Sequence, residues 1–283
     1  MLNPKNALGI SEIFSVYYHD IFDYPLTELE LIRWRVGKKI KGNGEEPRIK
    51  NINGFIVLKG RDGLIYQRKL KERASLRKVK YLSSLMRIFL KISTIKMVGI
   101  SGSLAMNSAS EDSDIDLMII TKESHLWFTR AVTLLVLALY RVPVRRVGKK
   151  EEMDRLCLNM WLDENKLLWQ KKDRNFYTAH EIAQIVPLIN KDHTYEKFIA
   201  KNKWILDFWP NSVKIKNLNL KLSNKTKASN FMLRAMNFIA YKIQRLYMRG
   251  KITREVVTPT RAIFHPNDLG KKVLLKLQQN FDF

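Results

Sequence analysis

The spacing of apolar residues predicts two helices near the start of the chain. In residues 9 to 22, apolar and aromatic side chains recur every three or four positions, which is typical of an amphipathic helix. A second, shorter helix is predicted from Thr27 to about Val36. Thr27 and Glu30 have the spacing of a capping box, and Pro25 separates the two helices.

A hairpin is predicted to follow these helices. The stretch GFIVLKGRDGLIYQRK contains two short β-prone runs on either side of Asp62-Gly63, a dipeptide that favours tight turns. Two helices and a hairpin are typical of a winged helix-turn-helix, so residues 1 to 68 are predicted to form a winged-helix-like module. A small structural α/β cap would give the same pattern.

Helix and strand patterns alternate between residues 69 and 165, which predicts a separate core. A basic amphipathic helix is predicted for residues 69 to 91. The elements predicted after it are, in order, a strand in TIKMVGI, a turn entering a helix in SGSLAMN, a strand in DIDLMII, a helix at 124 to 140, and strands in VPVRRV and RLCLNMWL. This order predicts an α/β (α+β) fold with a mixed sheet and helices packed on it.

The chain after residue 165 is predicted to be mostly helical. Apolar residues at helical spacing indicate helices at 177 to 186, 194 to 208 and 229 to 249. Residues 166 to 283 are therefore predicted to form a basic, helical C-terminal module.

One apolar segment has to be distinguished from a membrane span. The uncharged run from Ala131 to Tyr140 is about half of the ~20 residues that a helix needs to cross a bilayer, and Arg130 and Arg141 bracket it. We interpret it as a buried core helix. The N-terminal stretch MLNPKNALGISEIF lacks the charged region and apolar run of a signal peptide, so we expect a cytoplasmic protein with no membrane partner.

Charge favours a polyanionic partner. The 283 residues include 51 Lys and Arg against 27 Asp and Glu, a formal net charge of +24. The excess is uneven, because residues 68 to 91 contain nine basic residues against Glu72 alone. Clustered positive charge of this kind favours a nucleic acid or another polyanion. The single cysteine, Cys157, excludes a disulfide framework and a cysteine-rich zinc site.

Two aspartates stand at the start of a predicted strand. Because successive side chains of a strand alternate between its faces, Asp114 and Asp116 point to the same face, with Ile115 and Leu117 on the other. Two carboxylates ~7 Å apart on one face repel each other unless a cation lies beside them. Mg²⁺ is bound by carboxylates together with substrate phosphates. The pair therefore predicts a magnesium site.

The turn before the aspartates is suited to phosphate. Gly102 allows the backbone to approach a phosphate closely, and Ser103 offers a hydroxyl. The helix predicted to follow offers free N–H groups to an anion at its N-terminus. A phosphate-binding turn beside a metal-binding pair predicts a site for a nucleoside triphosphate.

This combination resembles the signature of the DNA polymerase β-like nucleotidyltransferase superfamily. That signature is a Gly-Ser or Gly-Gly turn followed, after about ten residues, by an Asp-x-Asp or Asp-x-Glu strand. Here Gly102-Ser103 is separated by ten residues from Asp114-Ile115-Asp116-Leu117, and the flanking Ser113 strengthens the resemblance. It covers roughly residues 92 to 165, about a quarter of the chain.

The resemblance implies Mg²⁺-dependent nucleotidyl transfer. Asp114 and Asp116 are the implied metal ligands, and Gly102, Ser103 and Ser113 the implied nucleotide-binding residues. An acceptor hydroxyl would attack the α-phosphorus and pyrophosphate would leave. Catalysis of this type consists mostly of positioning and charge stabilisation.

The superfamily usually has a third carboxylate on a later strand, and this chain departs from that pattern. The strand RLCLNMWLD has Asn159 at its centre, and an asparagine can ligate a metal through its carbonyl oxygen but cannot act as a base. Three interpretations stay open. Asn159 replaces the third acid, Asp163 or Asp154 serves instead, or the site binds nucleotide without turnover. Glu181 is a further candidate acid, although a structural salt bridge is the simpler interpretation.

A few other polar residues are weaker candidates. One of the cations that follow the core could bind an anionic leaving group. These cations are Arg130, Arg145, Arg146 and Lys149. For each of them, a solvated surface charge is the simpler interpretation. His265 and Asp268 lie in a Pro-containing stretch that we interpret as a capped turn rather than a metal or acid–base element.

The main functional hypothesis is a Mg²⁺-dependent nucleotidyltransferase that moves a nucleoside monophosphate from a nucleoside triphosphate to an acceptor hydroxyl, for example on RNA or another polyanion. The alternative is a DNA-binding regulator with a nucleotide-sensing, catalytically weak core, which Asn159 favours. A third hypothesis is an antitoxin-like protein that modifies or masks another protein.

Overall fold

The computed structural model describes residues 8–43, 49–145, 152–213, 231–249, 255–264 and 269–283. The α-helices are α1 (Ile10–Asp20), α2 (Glu28–Arg33), α3 (Leu64–Leu90), α4 (Gly102–Ala105), α5 (Leu126–Leu139), α6 (Phe176–Ala183), α7 (Thr194–Lys201), α8 (Phe231–Met248) and α9 (Leu269–Gln278). The strands are β1 (Leu26–Thr27), β2 (Lys41–Gly42), β3 (Ile49–Ile52), β4 (Phe55–Leu58), β5 (Ile95–Ile100), β6 (Ile115–Thr121), β7 (Leu156–Asp163), β8 (Val186–Asn190), β9 (Val256–Thr258), β10 (Arg261–Ile263) and β11 (Phe281–Asp282).

A six-stranded mixed sheet in the order β8-β5-β6-β7-β10-β9 is the centre of the molecule. Strands β6 and β7 are parallel, and the other neighbours are antiparallel. Both faces are covered, so the central strands are almost continuously apolar. Met118 and Ile120 of β6 belong to one buried cluster, whereas Leu117 and Ile119 belong to a second cluster on the other face.

Helix α3 confirms the predicted basic helix but begins earlier than predicted. It starts at Leu64, directly after Gly63, whose backbone is already helical (φ −63°, ψ −20°). Leu82 and Phe89 are fully buried against the sheet, so the apolar stripe packs as its spacing predicts.

The hairpin predicted around Asp62-Gly63 is wrong, because that dipeptide precedes α3. The hairpin instead joins β3 to β4 through Asn53 and Gly54. Both residues have positive φ, 51° and 83°, as a two-residue hairpin turn requires. Asn and Gly tolerate that conformation better than other residues, which is the physical reason for the difference.

The N-terminal region contains part of the winged-helix pattern. Helices α1 and α2 are present, and the capping box of Thr27 and Glu30 is confirmed. Strands β1, β4 and β3 form a small antiparallel sheet. Within the described part of the segment between Arg33 and Ile49 there is no third helix, which a DNA-reading module would need. The winged-helix assignment therefore stays a prediction.

The prediction that the chain is mostly helical after residue 165 is wrong in part. Strands β8, β9 and β10 come from this region and complete the central sheet. Helix α6 ends at Ala183, since Pro187 cannot continue a helix and lies in an edge strand, where its missing N–H is tolerated. Helix α8 lies within the predicted range. The module boundary at residue 165 stays a prediction, but the sheet extends across it.

Two further predictions concern the segment around α5. This helix is confirmed, with Leu126, Trp127 and Leu137 buried. The interpretation of the run from Ala131 to Tyr140 as a buried core helix is wrong in part, because Leu135, Leu139 and Tyr140 lie on an exposed face. In the described part of the chain, no helix combines the length and the hydropathy needed to span a bilayer. The strand predicted in VPVRRV is reduced to one isolated bridge between Val144 and Leu156, and its last two residues lie outside the described residues.

Candidate active site

The two aspartates lie where β6 enters the sheet, beside a cavity of about 490 Å³. Asp114 immediately precedes the strand and Asp116 is its second residue. The glycine turn follows the adjacent antiparallel strand β5, and the Ser101 N–H donates to the Asp116 carbonyl over 3.0 Å. Pairing of β5 with β6 therefore brings the two halves of the motif together.

Gly102 is required by the closeness of the turn to Asp116. Its φ is +61°, a conformation that favours glycine. A Cβ at this position would overlap the Asp116 carboxylate and lie 3.2 Å from its Cγ. The helix α4 that follows has a single turn, and no described side chain caps its start.

Asp116 and Asn159 are hydrogen-bonded neighbours. The Asn159 Nδ2 donates to the Asp116 Oδ1 over 2.6 Å. Burial, and then the negative charge of Asp114, raise the pKa of Asp116 to about 7. The Asn159 Oδ1 is buried and has no hydrogen-bond partner. A bound cation or its hydration shell would satisfy this acceptor oxygen and the buried carboxylate beside it.

Asp114 is held by Arg145. The Arg145 Nη1 lies 2.7 Å from the Asp114 Oδ2, and the aspartate side chain is only 11 % exposed. The same guanidinium pairs with Glu152 and approaches the Cys157 Sγ at 3.8 Å. Arg145 therefore partly neutralises the carboxylate pair, and it lines the cavity.

The residues present fit a hard divalent cation. Ligand atoms of Asp114, Asp116 and Cys157 lie within 4.8 Å of one another. Cys157 faces Asp116 across the parallel β6–β7 pair, and its soft thiol suits a hard cation such as Mg²⁺ less well than an oxygen ligand does. The two carboxylates, with the free Asn159 oxygen beside them, offer the oxygen ligands that Mg²⁺ prefers.

Serines form the polar wall of the cavity on the side of the turn. Ser103 and Ser113 both line it, as the sequence predicts for nucleotide-binding residues. The Ser113 hydroxyl donates to the Ser110 carbonyl over 2.9 Å. The Ser113 carbonyl accepts from the Lys78 Nζ over 2.7 Å, so a fully buried lysine of α3 fixes the loop that leads into the aspartates.

Two of the candidate third acids are placed elsewhere. Asp163 is at the far end of β7, paired in register with Thr121, and it accepts from the Ser124 and Asn165 N–H groups. Asp154 forms a 2.7 Å ion pair with Lys78. Neither lines the cavity.

Glu181 is brought to the cavity by α6. The structural salt bridge that we preferred for it is not seen, because no described cation pairs with it. Its Oε1 accepts from the Gln184 Nε2 over 2.8 Å. Burial, and then the charge of Asp116, raise the pKa of Glu181 to about 7.

The rest of the cavity is largely aromatic and apolar, and sequence patterns did not indicate it. Phe22 and Tyr24 come from the N-terminal region, Tyr177 from α6, and Phe264 and Leu269 from the C-terminal region. Lys71 of α3 is the one lysine among the described lining residues. Parts of all three predicted modules therefore form one cavity.

The weaker candidates do not change this picture. Arg130 is buried, and burial lowers its pKa to about 10. It donates to Gln244 of α8 over 2.5 Å and does not line the cavity, so its role is structural. Arg146, Lys149, His265 and Asp268 lie outside the described residues.

Comparison with known proteins supports one class of activity. Residues 82–207 match the family model described as "Nucleotidyltransferase domain". This segment, less than half of the chain, includes the glycine turn, both aspartates, Asn159 and Glu181. No curated protein and no solved structure matches the chain. Residues 82–207 are therefore similar to nucleotidyltransferase domains, which supports nucleotidyl transfer in general.

Proposed function

We propose that the protein is a Mg²⁺-dependent nucleotidyltransferase of the polymerase β-like type, which moves a nucleoside monophosphate from a nucleoside triphosphate to an acceptor hydroxyl. The observation that carries this proposal is that Asp116, whose carboxylate clusters with that of Asp114, packs against the Gly102 turn and lines the cavity. Each element alone is common, but their contact places metal ligands and a phosphate-binding turn side by side.

Asp114 and Asp116 are the residues that would hold Mg²⁺, with the Asn159 oxygen available beside them. When bound, the ion would neutralise charge on the triphosphate and make the α-phosphorus easier to attack. The missing side chain of Gly102 lets the turn approach the Asp116 carboxylate, so the turn and the metal ligand lie side by side. Ser103 and Ser113 line the cavity, and the Ser103 hydroxyl is a potential hydrogen-bond donor, whereas the Ser113 hydroxyl donates to the Ser110 carbonyl.

Arg145 is suited to the leaving pyrophosphate. It pairs with Asp114 and lines the cavity, and a guanidinium at a triphosphate site would stabilise the negative charge of the leaving group. Lys71 supplies a second positive charge at the cavity. These cations support binding of an anionic substrate in a site that otherwise contains carboxylates.

The acceptor is proposed to be RNA or another polyanion. The net charge of +24 supports this class, because a polyanion gains from contact with many lysines and arginines. Helix α3 also presents exposed basic side chains, those of Lys69, Arg73, Lys80 and Arg87.

The alternative function is a DNA-binding regulator whose core senses nucleotide without transfer. Asn159 favours it, because an amide stands where a catalytic acid is expected. The packing of the N-terminal region argues against this DNA-binding alternative. Trp34, just after α2, is buried against His180, and the Arg33 side chain donates to the Ser212 carbonyl, so part of this region packs on the rest of the protein.

The test uses the purified full chain, each of the four α-labelled nucleoside triphosphates, Mg²⁺, and small RNAs or cell lysate as acceptors. Label should move to an acceptor with the wild-type protein, and at least 100-fold less with Asp116→Asn. The regulator alternative predicts no transfer and salt-sensitive duplex binding that survives Asp116→Asn. That result would overturn the proposal.

A further inference from the structure

Strand β7 supplies no described carboxylate to the cavity. Asn159 stands next to Asp116, and its amide cannot accept a proton from a hydroxyl. Asp163 is at the far end of the strand and is hydrogen-bonded to two backbone N–H groups. A reaction that takes a proton from a hydroxyl therefore needs another group to receive it.

Glu181 is the acid in position to do so. Of the acids in the described residues, only Asp116 and Glu181 line the cavity. Asp116 comes from the sheet and Glu181 from helix α6, so they approach the cavity from different elements. Glu181 does not belong to the cluster of ligand atoms formed by Asp114, Asp116 and Cys157, and that position suits a proton acceptor better than a third metal ligand.

The carboxylate of Glu181 is held without being neutralised. Gln184, one helical turn further along α6, donates to its Oε1 over 2.8 Å. Gln184 is the one described side chain that hydrogen-bonds it, and no described cation pairs with it. A neutral donor fixes the orientation of a carboxylate while leaving its basicity available.

Two buried histidines, His19 and His180, fix the position of α6. The His19 Nδ1 lies 2.8 Å from the Ser15 carbonyl oxygen and must donate to it, so Nε2 of the neutral ring is an acceptor. The His180 Nε2, 3.2 Å away, therefore donates to His19. The His180 ring also stacks on Trp34 at 3.9 Å. His180, the residue directly before Glu181, is therefore held in a fixed position in the core.

We propose that Glu181 accepts the proton of the acceptor hydroxyl as that oxygen attacks the α-phosphorus. The bond from the acceptor oxygen to the α-phosphorus forms, and the bond from the α-phosphorus to the pyrophosphate oxygen breaks, with its electron pair leaving on pyrophosphate. This inference rests on the proposed function. A pKa of about 7 for Glu181, raised by burial and by Asp116, suits a base that works near neutral pH.

The test compares Glu181→Gln with the wild-type full chain. Mg²⁺-dependent pyrophosphate release is measured with each nucleoside triphosphate, with water alone and with small RNAs and cell lysate as acceptors. Nucleotide binding is measured in parallel. The matched control is Glu196→Gln, because Glu196 is also half-buried and accepts from a side-chain amide, that of Asn190, but lies outside the cavity.

The expected result is a loss of at least 100-fold in the rate for Glu181→Gln, with the nucleotide dissociation constant within about threefold of wild type. Glu181→Asp should retain more activity than Glu181→Gln, and Glu196→Gln should behave as wild type. Equal rates for wild type and Glu181→Gln would overturn the inference alone. A wild-type protein that binds nucleotide but releases no pyrophosphate with any acceptor, including water, would overturn the proposed function together with it.

The dependence of the rate on pH distinguishes a general base from a residue with only a structural role. The wild-type rate should rise with pH as Glu181 loses its proton near pH 7, and this limb should be absent in Glu181→Gln. The groups facing Glu181 are Tyr18 and Tyr177, which burial keeps protonated in this range, and Asp116. Mg²⁺ held by Asp116 would offset part of the charge that raises the pKa of Glu181, so both limbs would move with Mg²⁺ concentration. The profiles are therefore compared at one saturating Mg²⁺ concentration, where a limb lost in Glu181→Gln belongs to Glu181. A limb that persists in Glu181→Gln would count against the inference.

Discussion

At the scale of single residues, Gly102 has the most specific requirement. Its positive φ disfavours any side chain, and the space that a Cβ would occupy belongs to the Asp116 carboxylate. Gly60 also has a positive φ, +86°, but a Cβ there would meet nothing within 4 Å. Comparing alanine substitutions at these two glycines therefore separates the effect of backbone strain from the effect of a steric clash with Asp116.

Gly102→Ala is expected to lower the rate of transfer at least 100-fold, because Asp116 must move to make room for the methyl group. Both Gly102→Ala and Gly60→Ala should cost about 1 to 2 kcal/mol of stability through the strained backbone. Thermal unfolding and the rate of label transfer check this pair. Transfer by Gly102→Ala at the level of Gly60→Ala would show that the turn does not position Asp116.

The histidine pair predicts a dependence of stability on pH. Burial lowers the pKa of His19 from 6.5 to about 4 and that of His180 well below 6.5. Between those values the unfolded chain binds protons that the folded protein does not. This contribution to stability is therefore present in full above pH 6.5 and is lost as the pH falls towards 4. For His19 the loss in the free energy of unfolding is about 3 kcal/mol.

The measurement is the free energy of unfolding from pH 7 to 4.5 for wild type, His19→Gln and the control His193→Gln, whose ring is exposed. Asp116, Asp163 and Glu181 titrate with the opposite sign, because their pKa values are raised, so the histidine is isolated by the difference between variants and not by the slope of one protein. When the pH falls from 7 to 4.5, His19→Gln should lose less stability than wild type, or gain more, and His193→Gln should follow wild type. Parallel curves for wild type and His19→Gln would refute this account.

At the scale of elements, α3 positions the loop before Asp114. Lys78 is fully buried, and its Nζ donates to the carbonyls of Glu111 and Ser113 and to the Asp154 carboxylate over 2.7 to 2.9 Å. Three bonds from one ammonium group join the helix to both chain segments that lead into β6 and β7.

Lys78→Met should therefore destabilise the protein by about 3 kcal/mol and weaken Mg²⁺ binding, since it leaves one carboxylate and two carbonyls without their donor. Arg77→Met is the control. Arg77 is the adjacent residue, about half exposed, and its one ion pair within the described residues is with the exposed Glu111, so its loss should cost under about 1 kcal/mol. Denaturant unfolding and metal titration measure both variants. Equal costs for the two would contradict a positioning role for Lys78.

At the scale of the whole molecule, the sheet joins parts of the chain that the sequence patterns separated. Strands β5, β6 and β7 belong to the predicted core of residues 69 to 165, but β8 covers one side of them and β10 the other. A fragment limited to residues 69 to 165 would expose the edges of β5 and β7 and part of both buried clusters.

That fragment is expected not to fold cooperatively, whereas the full chain should unfold with a sharp transition. Circular dichroism and thermal unfolding of the two proteins provide the comparison. A fragment with native-like strand content and a sharp transition would show that residues 69 to 165 form an independent domain, and that the added strands are dispensable.

Features could be predicted from the sequence when the residues that form them lie close together along the chain. Asp114, Asp116 and the Gly102 turn were predicted because they lie within 15 residues and obey strand and turn chemistry. Glu181 was named, but its position at the cavity depends on the packing of α6, which periodicity does not specify.

Elements that depend on tertiary contacts were missed. Strands β9 and β10 have three residues each, too short for an alternating pattern. Strand β10 pairs with β7 across about 100 residues of chain, and β9 pairs with β10. Phe22 and Phe264 come from opposite ends of the chain and meet only at the cavity. Local spacing contains no information on such contacts.

The measurement that tests the central claim most directly compares triphosphates labelled at the α- and γ-phosphate, with the same acceptors, Mg²⁺ and full-length protein. Nucleotidyl transfer predicts that α-label appears on the acceptor, that γ-label appears only in pyrophosphate, and that Asp116→Asn abolishes both signals. Transfer of γ-label to the acceptor would identify a phosphoryl transfer, and transfer of neither label by a protein that binds the triphosphate would identify a sensor. Either of these results would contradict the proposed nucleotidyltransferase.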